Sequence, residues 1–137
     1  MKRILFLLLI LHSEISYCAS YTKTERDTIN SAFEALKALQ VLYVISKRCN
    51  NSEYIGLAPK NELDSVVKNK LHIDLSTLES MAKGKKNYML SFDYQLEGVE
   101  CKKIDVEVYL SALYDEYDLA KFSLDLYEPI SYGLTMQ

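Results

Sequence analysis

The chain has 137 residues with 16 basic and 19 acidic side chains, a net charge of −3, eleven tyrosines and no tryptophan. This length fits one small domain with a single hydrophobic core. The acidic balance argues against nucleic acid as a partner, because phosphate binding depends on clustered basic residues. The one basic cluster, KGKK at 83–86, suits a solvated helix end or turn.

The first twenty residues have the pattern of a secretory signal peptide. Lys2 and Arg3 precede an unbroken apolar run at residues 4–11, and polar residues follow it. The run is too short for a membrane span, which needs about 20 apolar residues. Small residues near its exit predict cleavage after Ser20, which leaves residues 21–137 as a single globular domain.

Cys18 has two alternative fates. Cleavage after Ser20 discards it, whereas a lipoprotein would carry its lipid on this cysteine. The residue before a lipidated cysteine is normally small, and Tyr17 is bulky. We therefore favour removal of Cys18, and we expect an exported protein, periplasmic or extracellular, with no transmembrane segment in the mature chain.

Two cysteines remain after cleavage, Cys49 and Cys101. An even number of cysteines in an exported protein predicts a disulfide, because that environment is oxidising. A bridge that closes a loop of this size would stabilise the fold by about 4 kcal/mol in the loop-entropy model. Two buried free thiols are the alternative, since cysteine is among the residues most often buried.

Three helices are predicted before residue 88. A capping box at 22–25 precedes a helix over about 24–47, whose second half is apolar on all sides. A loop rich in turn formers follows, and a shorter helix is predicted from near Asn61. Asp74 and a second capping box at 76–79 predict the start of the third helix.

The segment 88–108 admits two interpretations. Apolar residues at seven-residue spacing from Leu75 to Leu96 favour continuation of the third helix. Alternation from Tyr88 to Leu96 also suits a strand, with residues 97–98 as a hairpin turn. The predicted fold class is mainly α, a compact bundle of about four helices, and the alternative is α+β with a hairpin near 88–108.

The last predicted helix begins at the cap Asp105 and ends before Pro129. One apolar stripe runs along it, and its outer face carries Asp115, Glu116, Asp118 and Asp125. Tyrosine suits contact surfaces because its apolar ring ends in a polar group. The candidate residues for partner binding are Tyr114, Asp115, Tyr117 and Asp118.

The sequence offers little catalytic chemistry. His72 is the only histidine outside the predicted signal peptide, so a zinc site built on several histidines is not expected. There is no G-x-S-x-G elbow, calcium loop or glycine-rich phosphate loop. We therefore predict no catalytic residues, metal or cofactor, with paired carboxylates such as Glu79, Asp93 and Glu97 as the basis of a weaker hydrolase hypothesis.

These observations favour a small exported module that binds another protein, for example a periplasmic inhibitor or immunity-type protein that blocks a secreted enzyme. Export, small size, a disulfide and an acidic, tyrosine-rich surface motivate this hypothesis. The alternatives are a carrier or sensor of a small apolar ligand and a structural envelope protein. The identity of any partner and the oligomeric state stay open at this level.

Overall fold

A computed structural model describes residues 21–134. The helices are α1 Lys23–Arg48, α2 Leu57–Leu71, α3 Leu75–Lys83, α4 Lys86–Leu96 and α5 Val106–Leu126, with a 3-10 turn at Cys101–Lys103. The described residues contain no strand, so the mainly α prediction is confirmed and the hairpin alternative is wrong. The predicted signal peptide, with Cys18 and the cleavage point after Ser20, lies outside the described residues.

Helix α1 is the central element of the bundle and contacts each of the other four helices. The predicted capping box starts it: the Glu25 amide donates to the Thr22 hydroxyl at 3.1 Å, and the Thr22 amide donates to the Glu25 carboxylate at 3.0 Å. Val41, Leu42 and Ile45 are buried in its second half. Because α1 lies among the other helices, this half is apolar on all sides.

The helical stretch predicted to continue from Leu75 to Leu96 is divided into α3 and α4. The chain leaves the helical conformation at Lys85, directly after the C-cap Gly84. Glycine lowers helix propensity by about 1 kcal/mol relative to alanine, which favours a break at this point. The turn allows Tyr88 of α4 to pack against Phe33 of α1, with the ring centroids 6.1 Å apart. Because one predicted helix is divided here, the described residues form five helices where about four were predicted.

A disulfide braces the bundle at the end of α1. The sulfur atoms of Cys49 and Cys101 lie at bonding distance, with their Cα atoms 5.4 Å apart, so the predicted pairing is confirmed. The Arg48 guanidinium beside it donates to the carbonyl oxygens of Leu96 and Val99 at 3.0 and 3.3 Å. These bonds hold the end of α1 against the connection that leads into α5.

The segment 127–134 returns across the ends of α1 and α2. The Ile130 amide donates to the Lys70 carbonyl at 2.9 Å, and the Ile130 side chain is buried. The Ser131 amide donates to the Glu25 carboxylate at 3.1 Å. The same carboxylate therefore caps α1 and holds the C-terminal segment.

Candidate functional site

Tyr117, one of the four predicted partner-binding residues, lies in the core. Its side chain has 0 % exposed surface, and its hydroxyl donates to the Pro59 carbonyl at 2.6 Å. Burial raises the pKa of this phenol above its ordinary value. Tyr117 falls at seven-residue spacing between Leu110 and Leu124, which are both buried. It therefore joins α5 to the start of α2 and is not accessible as a contact anchor.

Tyr114 occupies an intermediate position on α5. Its side chain is half-buried, and its ring lies 5.6 Å from the ring of Tyr54 and 5.9 Å from that of Tyr117, measured between centroids. These aromatic contacts fix the ring against the loop before α2. Only part of Tyr114 is available to a partner.

Asp115 and Asp118 lie on the outer side of α5 and are exposed. Asp118 is 3.3 Å from the Lys121 ammonium, which also binds Glu62 of α2 at 2.7 Å. Partial burial disfavours the charged form of Lys121, but the hydrogen bonds to Glu62 and Asp118 outweigh it and raise its pKa. The cluster has two carboxylates for one ammonium, so this part of the surface remains negative.

A second apolar stripe runs along the outer side of α5, where the sequence analysis placed only acids. Five apolar side chains and one acid, Asp115, follow each other on it at alternating spacings of four and three residues: Val108, Ala112, Asp115, Leu119, Phe122 and Leu126. We call this set the outer seam. Leu119, Phe122 and Leu126 have exposed fractions of 66 %, 58 % and 71 %. This spacing is typical of a helix face that packs against one other helix.

Carboxylates flank the outer seam on both edges. Asp118 and Asp125 follow one edge and Glu116 lies on the other, while Asp115 lies within the seam itself. Helix α5 carries five carboxylates and one lysine. The surface is therefore a row of apolar side chains in a negative field.

Two open grooves border this row. The groove between α5 and α2 has a volume of about 380 Å³ and includes Val66 and Phe122. The groove between α5 and α1 has a volume of about 460 Å³ and includes Asp27 and Glu34. Leu119 lines both grooves and forms the ridge between them.

The apolar members of the outer seam were not predicted from the sequence. One apolar stripe was predicted on the last helix, and the opposite face was assigned to charged residues. The missed signal was present, because Val108, Asp115 and Phe122 repeat every seven residues, as do Ala112, Leu119 and Leu126. A search for a second stripe on the same helix would have found them.

The sites considered for chemistry have structural roles in the described residues. His72 is the C-cap of α2 in a left-handed conformation, and its Nε2 lies 2.8 Å from the Ile130 carbonyl. No group of three or more histidine, cysteine, aspartate or glutamate residues within 21–134 could hold a metal ion. His72 therefore has a capping role in the fold.

Carboxyl groups with clearly shifted pKa values are held by hydrogen bonds. Glu25, Asp64 and Asp74 all have lowered pKa values, because hydroxyl, ammonium and backbone N–H donors stabilise their ionised forms. For Asp74 the largest cause is the Thr77 hydroxyl. A general acid needs a raised pKa, which is the opposite direction. Glu79 lies 3.7 Å from the Lys60 ammonium. These groups support the fold.

The described part of the chain is a disulfide-braced helical domain whose last helix presents an amphipathic outer seam. No helix within residues 21–134 is long and apolar enough to cross a membrane. Comparison of the chain with models of known protein families, with curated proteins and with solved structures finds no significant match.

Proposed function

We propose that this chain is a small exported protein-binding domain that holds a basic partner on the outer seam. The observation that carries the proposal is the row of exposed apolar side chains from Val108 to Leu126, at the spacing of a packing face. Single exposed apolar residues are common and need no explanation. A periodic row on one face is a surface that a second element can cover.

The chemistry of the row favours an amphipathic helix as the binding element of the partner. Alternating spacings of four and three residues suit a partner helix that lies along α5. Asp115 lies within the row, so the partner needs a cation or a hydrogen-bond donor opposite it. The acids along both edges, Glu116 on one and Asp118 on the other, favour lysine or arginine at the flanks of that helix.

A second copy of this chain is a poorer match for the same surface. In a parallel or an antiparallel pair of α5 helices, the flanking acids of one copy would face the flanking acids of the other. Asp115 would also become buried in the interface without a cation, which is costly. The charges therefore favour a different protein over self-association.

An exported inhibitor or immunity-type protein fits this kind of surface. Disulfides persist in oxidising compartments, so the bridge between Cys49 and Cys101 supports export. An acidic seam that covers a basic surface on a secreted enzyme would gain association rate from electrostatic attraction, and its binding would weaken as salt is added. The proposal assigns no catalytic role to the domain.

The test is co-purification with paired variants. The tagged protein is produced at native level, and its partners are identified by mass spectrometry for the unmodified chain, for Leu119→Ser with Phe122→Ser, and for Asp115→Lys with Asp118→Lys. We expect one protein to co-purify in stoichiometric amount with the unmodified chain, and to be lost from both double variants. Removal of central contacts costs about 2 kcal/mol or more, roughly a thirtyfold loss of affinity.

A matched control separates the seam from charge in general. Asp93→Lys with Glu97→Lys makes the same change of charge at two exposed acids of the α4 region. All these positions are exposed, so each substitution should alter stability by about 1 kcal/mol or less, which thermal unfolding verifies. A partner that both seam variants retain, or that the α4 control loses equally, contradicts the proposal.

A further inference from the structure

A partly enclosed cavity of about 400 Å³ lies where the start of α1 meets the turn between α3 and α4. Its apolar lining includes Ile29, Phe33 and Met81, and its cationic residues are Arg26 and Lys85. This volume lies at the lower end of the range of small-molecule sites, about 300 to 1,000 Å³. The cavity and the outer seam share no residue, so its role is independent of the proposed function.

The charge of this cavity differs from that of the two grooves beside α5. Its lining contains two cationic side chains and no carboxylate. Each groove beside α5 is lined by three carboxylates. In a chain of net charge −3, a concave site with only cations is a local reversal of the field. Such a reversal favours an anionic ligand in this cavity.

The two cations are positioned at the apolar lining. The Lys85 ammonium lies 4.8 Å from the centroid of the buried Phe33 ring. The Arg26 guanidinium donates from Nη1 to the Tyr21 carbonyl at 2.8 Å, and its other nitrogens can donate to a ligand. The adjacent Glu25 carboxylate accepts hydrogen bonds from two backbone amides, so its negative charge is stabilised by groups of the fold itself.

We propose that this cavity binds a single-chain amphiphilic anion. Its apolar chain packs on Ile29, Phe33 and Met81, and its carboxylate or phosphate head group contacts Arg26 and Lys85. The Lys85 ammonium lies against the Phe33 ring. A ligand whose head group binds this cation therefore places its apolar chain beside that ring. The size and partial enclosure favour one short free chain over the surface of a lipid bilayer.

The first test compares head groups on one alkyl chain. Purified ¹⁵N-labelled protein is titrated with decanoate, decan-1-ol and decyltrimethylammonium below their aggregation limits, and amide chemical shifts are followed. We expect saturable shifts with decanoate, centred on Asn30 and Gly84, which line the cavity. The alcohol and the cation should bind at least about tenfold more weakly, because they lose the charge-assisted hydrogen bonds.

Methionine substitutions at the cationic residues then show where the head group of the ligand binds. Arg26→Met and Lys85→Met should each weaken decanoate binding by about tenfold, whereas Lys86→Met, a neighbouring exposed lysine outside the lining, should leave it unchanged. Any of four results would overturn the proposal: equal binding of the anion and the cation, shifts centred on α5, equal effects at Lys85 and Lys86, or binding to anionic phospholipid vesicles without binding of decanoate.

Discussion

The two faces of α5 carry similar side chains at the same seven-residue spacing, yet they have opposite environments. Leu110, Tyr117 and Leu124 on the inner face have no exposed surface, whereas Phe122 and Leu126 on the outer face are more than half exposed. The helix itself is the same for both. What differs is that α1 lies against the inner face. Periodicity therefore defines a helix face that can pack, and the tertiary fold decides whether that face is buried.

The energetic consequence differs between the two faces. Full burial of a leucine or phenylalanine contributes about 1.5 to 3 kcal/mol relative to exposure. On the inner face this burial already stabilises the folded domain. Leu119, Phe122 and Leu126 are still mostly exposed, so their burial by a partner would contribute several kcal/mol to binding before the entropic cost of association is subtracted.

Removal of the disulfide should have the largest effect on the packing of the inner face. Cys49→Ser with Cys101→Ser releases a covalent link between positions 52 residues apart in sequence. The loop-entropy model gives a loss of about 4 kcal/mol in the free energy of unfolding. Urea unfolding measures it, and the reduced unmodified protein should match the double variant. A loss below about 1 kcal/mol would show that helix packing alone positions α5.

A pair of leucine variants tests the comparison directly. Leu124→Ala removes a fully buried side chain of the inner face and should cost about 2 to 5 kcal/mol. Leu126→Ala makes the same chemical change two residues later, where the side chain is 71 % exposed, and should cost less than about 0.5 kcal/mol. Urea unfolding of both variants gives the difference. Equal losses would mean that the outer seam is already covered within the chain.

Features that depend on residues close together in the sequence were predictable from it. The capping box at Thr22 and Glu25 gave the start of α1, and Asp105 accepts from the Val108 amide as the cap of α5. Caps are hydrogen bonds over three residues, so local sequence contains them completely. The pairing of Cys49 and Cys101 followed from the count of cysteines.

Features that depend on tertiary packing were predicted less well. Helix α2 begins at Leu57, earlier than expected near Asn61, because Pro59 is tolerated in a first turn where its missing N–H is not needed. Helix α3 starts at the cap Asp74, one of its two predicted start signals, and the box at 76–79 lies inside the helix. Tyr117 fitted both the apolar stripe and the candidate surface, and only the position of Pro59 across the bundle assigns it to the core.

Two carboxylates differ in their environments, as the buried and exposed leucines of α5 do. Asp115 projects from the outer seam, whereas Glu25 accepts hydrogen bonds from the Thr22 and Ser131 amides, which lower its pKa below the ordinary value of 4.5. Because the pKa is lower in the folded state, ionisation of Glu25 stabilises that state. This contribution is fully present above the unfolded pKa and is lost as pH falls through the lowered native pKa.

Glu25→Gln should therefore have an effect that depends on pH. At about pH 7 the variant should unfold at lower urea than the unmodified protein, and the gap should close as the pH falls through the lowered native pKa, because the native carboxylate becomes protonated. Thr22→Val is the matched control: it removes the capping hydroxyl at a cost of about 1 kcal/mol but no titrating group, so its deficit should stay nearly constant. A Glu25→Gln deficit that is equally constant would show that the shape of the side chain, and not its charge, holds the C-terminal segment against α1.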